Sequence, residues 1–143
     1  MAIAQAVANS FKKEILEGIH DLESGGDVFK LGLYTSVATL SSATTSYTTS
    51  SEVAASGEYV AGGGVLQTQQ VSLATGGVAI VDFADLSFTG VTLTARGALI
   101  YNSTEAKKAV CVLDFGSDKT ATSGTFTIQF PQFNSSSAIL RIA

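Results

Sequence analysis

The chain has no tryptophan, and it has only one histidine, one cysteine and one proline in 143 residues; charged residues make up 14% of it. The single cysteine excludes an intrachain disulfide, and the setting of Cys111 in Ala-Val-Cys-Val-Leu reads as a buried strand position where sulfur serves as a small hydrophobe. One histidine and one cysteine far apart also exclude structural zinc, which takes several such ligands. His20 has no Gly-x-Ser-x-Gly elbow to work with, so a hydrolase triad is not supported. Its place beside Asp21, near the end of a helical pattern, predicts a capping or solvent-exposed role. Without tryptophan, and with aromatics at 8%, the sugar platforms of a glycosidase cleft are missing. Gly62-Gly63-Gly64 is not followed by lysine and does not open a helix, which argues for a bend and against a phosphate cradle.

Positive charge is scarce too. The formal net charge is −4, and no Lys/Arg cluster supplies the electrostatic footprint of a nucleic-acid surface, so direct binding of DNA or RNA is not expected. The pairs Lys12-Lys13 and Lys107-Lys108 are flanked by Glu14 and Glu105 and read as solvated faces, and Arg96 reads as paired to a carboxylate or carbonyl. No stretch approaches about 18 unbroken apolar residues, and the start lacks the pattern of a secretory signal, so the chain is expected to be soluble where it is made, with no membrane partner.

What is present is apolar and neutral. Hydrophobic residues reach 45%, so the surface must be covered largely by Ser, Thr, Asn, Gln and Gly, a composition suited to burial against a partner. Ile3, Val7, Phe11, Ile15, Leu16 and Ile19 recur at helical spacing and predict an amphipathic amino-terminal helix over 1–22, stopped by Gly25-Gly26. The period then changes to two. In 28–35, Phe29, Leu31 and Leu33 face one way and Lys30, Gly32 and Tyr34 the other, the mark of a half-buried strand.

Residues 36–64 are rich in Ser, Thr, Ala and Gly with Tyr47, Val53 and Tyr59 as anchors, and predict a long ordered loop, a candidate contact arm. Further strand-like runs follow at 65–73, 78–83, 91–95, 98–102, 109–115, 124–130 and 138–142, separated by turn residues, with Pro131 closing the penultimate one. About eight strands at this spacing predict a single, mainly β domain over 1–143. The form expected is an antiparallel β-sandwich of jelly-roll type over 28–143, carrying the helix.

The segments 79–85 and 110–118 echo one another, each ending an apolar run in Asp-Phe. Asp82, Asp85, Asp114 and Asp118 lie where a sandwich could gather strand ends, which leaves a calcium site open beside plain turn capping; their spacing matches no established calcium loop. Catalytic, cofactor and metal residues are therefore expected to be none.

Three stretches carry a resemblance: AIAQAVANSFKKEILEGIHDLESGGDVFKLGLYTS, LTARGALIYNS, and AVCVLDFGSDKTATSGTFTIQFP with the tail to ILRIA. Together they resemble a family of small virion proteins of tailed bacteriophages, over almost the whole chain. With the expected jelly roll, the size is similar to that of capsid cement, or decoration, proteins, which lie on the outside of a head and bridge major capsid subunits. The resemblance implies a non-enzymatic structural protein of the virion, made in the host cytoplasm, with the major capsid protein as partner and a homo-oligomeric or symmetric assembly in the particle. It does not separate head from tail or neck, where an adaptor or fibre-base subunit would fit; a carbohydrate- or calcium-binding β module is a further alternative. The expected contacts are the helix face, Val7, Phe11, Ile15 and Ile19, and the arm residues Tyr47 and Tyr59.

Overall fold

A computed structural model describes residues 2–134 and 136–142; Met1, Ala143 and Ser135, the last within the turn expected at 134–136, lie outside the described residues. The protein is mainly β, with antiparallel sheets and one short helix. In chain order the elements are β1 (Ala6–Val7), α1 (Asn9–Leu16), β2 (Phe29–Tyr34), β3 (Gly64–Val65), β4 (Gln70–Ala74), β5 (Val78–Asp82), β6 (Leu86–Asn102), β7 (Lys108–Ile128) and β8 (Leu140–Ile142). They form a five-stranded sheet in the order β1-β7-β6-β2-β3 and a three-stranded sheet in the order β4-β5-β8.

The spine is the β6–β7 hairpin. Four separate runs were expected here, 91–95, 98–102, 109–115 and 124–130; the structure fuses them into two strands of 17 and 21 residues. The ladder survives the turn-like residues by bulging. Ala95 pairs with Lys119 and Gly97 with Asp114, so residues 115–118 lie opposite Arg96 alone. Gly116, at φ 82, supplies the left-handed residue this detour needs, and the ribbon bends without ending. On its outer face Ser87 meets Thr127 and Thr94 meets Thr120, hydroxyl to hydroxyl at 2.9 Å.

The amino-terminal helix is shorter than its periodicity predicts. Ile3 bridges to Leu40, Ala6 and Val7 pair with Val112 and Cys111 as an edge strand, and Ala8 N–H donates to the Val110 carbonyl at 2.9 Å. An open sheet edge gives these residues main-chain partners that a frayed helical turn would leave to water, so pairing overrides local pattern. Only Asn9–Leu16 remains helical, closed by Glu17 with Gly18 at φ 75 behind it.

β2 alternates as its sequence predicts, yet both of its faces are covered. Phe29, Leu31 and Leu33, all fully buried, join Ala98 and Ile100 on one side, where α1 contributes Phe11, the three-stranded sheet Val81 and Leu140, and the segment after β5 Phe83 to the same core. On the other side Tyr34, Leu99 and Tyr101 are sealed by the 36–64 arm, whose Tyr34–Glu52 and Ser46–Lys108 bridges tie it to the sheet. Three layers result: arm, five-stranded sheet, then helix with the small sheet.

Candidate functional site

The arm is held by one carboxylate and the chain's four tyrosines. Glu52 accepts from the Tyr47 hydroxyl at 2.5 Å, the Tyr59 hydroxyl at 2.7 Å and the Gly62 N–H at 2.8 Å. Tyr59 also accepts from the Leu33 N–H at 2.8 Å, Tyr34 donates to the Thr48 carbonyl at 2.6 Å, and Tyr101 donates to the Gly62 carbonyl at 2.6 Å. The Tyr47 ring stacks on Tyr101 at 4.8 Å, with the Lys107 ammonium 5.4 Å from the Tyr47 centroid on a cation–π contact.

Burial pushes the Tyr101 phenol up to about 12, the Glu52 charge adding to the effect. Tyr34, Tyr47 and Tyr59 are raised further, again by burial first. These phenols therefore stay protonated as donors at neutral pH, and their protons are committed to fixed acceptors within the fold. The bend expected at the glycine run is a close approach: Gly63, at φ 82, lies so near β2 that a Cβ would sit 1.8 Å from the Leu31 carbonyl oxygen.

A second polar cluster lies under α1. His20 was expected to cap or face solvent; instead its ring is enclosed, 4.8 Å from the Phe11 centroid and 6.4 Å from that of Phe29. Asn102 Oδ1 accepts from the Thr104 and Glu105 N–H groups, which fixes the amide so that Nδ2 donates to Asp27 at 2.8 Å and to His20 Nδ1 at 3.0 Å. His20 Nε2 is then the nitrogen that carries hydrogen and donates to Glu14 Oε1 at 2.9 Å. A fully enclosed imidazole with both nitrogens engaged orders the helix against the sheet and presents nothing to a substrate.

The four aspartates are not drawn into one site. Asp85 accepts from the Phe130 N–H, Asp114 from the Gly116 N–H, and Asp118 pairs with Arg96 Nε at 3.1 Å. Asp82 is pushed above the usual carboxylate range, by burial and then by Asp85, and its Oδ1 has no partner among the described residues. No group of three or more His, Cys, Asp or Glu side chains is placed to hold a metal among the described residues. Cys111 is buried, and burial pushes its thiol up to about 12, away from the reactive thiolate.

Of the expected contact residues, Phe11 is 5% exposed and Tyr59 fully buried, so both are used inside the fold; Val7, Ile15, Ile19 and Tyr47 are half-buried. The outward apolar surface lies elsewhere. On one face of the small sheet the paired rows are Val71, Val81, Leu140 and Leu73, Ala79, Ile142, every one apolar. Between that face and α1 runs a groove of about 590 Å³, lined by Val7, Phe11, Ile15, Leu16, Val71 and Ile142 among others. Leu16 is 90%, Leu73 74% and Ile142 60% exposed.

The sequence places Leu16 in the amphipathic helical stripe and Val71 and Leu73 in the strand-like run 65–73, but neither pattern tells which of these side chains the fold leaves exposed. A second cleft of about 520 Å³ follows the β7 bend between Asp114, Phe126 and Ile139. No helix among the described residues is long and apolar enough to cross a membrane. No protein-family model matches the chain, and no curated protein or solved structure matches it.

Proposed function

We propose that the protein is a non-enzymatic structural component of a tailed-phage particle, a capsid cement protein that bridges major capsid subunits. A jelly-roll winding of its two sheets, assembly into a symmetric array and residence in the virion belong to the same reading. The observation that carries it is the open groove lined by Leu16, Val71 and Ile142, with Leu73 exposed on the same sheet face, a surface too apolar to be left to water at no cost. The internal use of His20, Glu52 and the tyrosines supports it, since these groups are already engaged within the fold. A head filled with compressed DNA is stabilised by any subunit that binds the assembled shell and buries area across a junction.

The test is the position and copy number of the protein in intact particles. Labelling or difference density on the head, with on the order of hundreds of copies, is the expected result; about six to twelve copies at the neck or tail would mean an adaptor ring, and absence from particles would remove the phage reading altogether.

A further inference from the structure

The small sheet ends on an edge that nothing among the described residues covers. β1 and β3, at the ends of the large sheet, are two residues long, and β8 has three. The β6–β7 ribbon is also unpaired on its outer edges beyond β1 and β2, but register shifts between Phe88 and Gly97 interrupt it, so β4, Gln70–Ala74, is the longest unbulged open edge among the described residues. Apart from its ladder to β5, none of its main-chain groups makes a main-chain hydrogen bond among the described residues. Natural edges are defended by charge, proline, a bulge or brevity. β4 has none of these: its ladder to β5 is regular over five pairs, and residues 59–81 contain no charged residue and no proline.

We infer that β4 is a self-association edge, pairing antiparallel with β4 of a second copy about a two-fold axis through Ser72. The occupant follows from charge and symmetry. Two identical strands brought edge to edge place like residues close together, which is costly for a charged strand and free of that penalty for this one. A two-fold axis perpendicular to the sheet keeps the same face of both copies on the same side. Centred on Ser72, it sets Val71 opposite Leu73 of the second copy and Leu73 opposite its Val71. Leu73, the most exposed side chain on the apolar face, then gains a cross-strand partner in Val71 of the second copy, and the rows Val71, Val81, Leu140 and Leu73, Ala79, Ile142 run on through a six-stranded sheet. Five paired residues bury little area, so the dimer belongs to the weak, concentration-dependent class. The inference is independent of where the protein resides, and its failure would leave the particle reading untouched.

The experiment uses the full chain. Sedimentation over roughly 10 to 500 μM should show a reversible monomer–dimer equilibrium, and Leu73→Lys should raise the dissociation constant by about tenfold or more. Since Leu73 is 74% exposed, that variant should keep the wild-type melting curve. Register is read by cysteine cross-linking, with buried Cys111 silent. Ser72→Cys places two thiols on directly opposed residues, within disulfide reach, and should cross-link under mild oxidation; Thr75→Cys places them about 20 Å apart and should not. A monomer throughout the range, cross-linking at Thr75 in place of Ser72, or a dimer indifferent to Leu73→Lys would each overturn the inference, the last by assigning the contact to another surface.

Discussion

The arm at 36–64 and the strand β4 invert each other's appearance. The arm is polar, small-residued and largely without regular structure, yet it is pinned: Tyr34 and Tyr101 are at most 1% exposed beneath it, its own Tyr59 is fully buried, and Glu52 gathers three donors. β4 is apolar and regular, yet Leu73 stands 74% in solvent. Hydropathy ranks the two segments the wrong way round for rigidity and burial. A segment is fixed by what satisfies its polar groups and what covers its faces, and neither is a property of the segment alone.

The sharpest break of that comparison lies in α1, where neighbouring turns differ in the same way. Phe11→Asp, at a buried site, should cost about 4 kcal/mol or more and leave much of the protein unfolded, whereas Leu16→Asp, at a site 90% exposed, should stay within about 0.5 kcal/mol. Chemical denaturation of both variants measures the gap; equal losses would mean that the groove closes over Leu16 in solution. Next in size is Gly63→Ala. Its Cβ would meet the Leu31 carbonyl at 1.8 Å with φ at 82, so the arm must lift, at a cost of about 3 to 4 kcal/mol and with faster amide exchange over 36–64.

Glu52→Ala removes the acceptor for Tyr47, Tyr59 and Gly62 and should cost about 3 kcal/mol, a fall in Tm of roughly 10 °C, with no change at β4. Alkali probes the same cluster without a mutation. A phenol whose pKa is raised by folding favours the folded state fully below the unfolded value near pH 10, and that contribution is lost as pH rises through the folded value, about 12 for Tyr101. Through these phenols, stability should fall above about pH 10. An ultraviolet titration should show the phenols ionising together with unfolding, and ionisation at ordinary pH in the intact protein would mean that the arm is loose. The smallest effect is expected at β4 itself: Leu73→Ser should move stability by less than about 0.5 kcal/mol.

Much of the β pattern was legible. The alternation in 28–35 gives the two faces of β2 correctly, and the turn residues near 75–77 separate β4 from β5. What could not be read was coverage. The second face of β2 is buried because Tyr34 and Tyr101 meet Thr48 and Gly62, contacts set by residues 14 and 39 positions away. The start of the helical pattern was lost to a sheet edge formed by residues 111 and 112, and four runs became two strands because Gly116 allowed a bulge in place of a stop. His20 looked like a cap because its partner Asn102 is 82 residues distant. At the candidate surface, composition gives a chain poor in charged residues, but the residues left exposed, Leu16, Leu73 and Ile142, were decided by which faces the fold left over.

The hydroxyl rows along the β6–β7 ribbon, Ser87 with Thr127 and Thr94 with Thr120, bring one more property. In each pair either oxygen can be the donor, so the row can reverse its polarity by rotating hydrogens alone. Such pairs offer themselves equally to an accepting or a donating neighbour, and they carry no charge of their own for dissolved salt to screen, in contrast to the Arg96–Asp118 ion pair beside them.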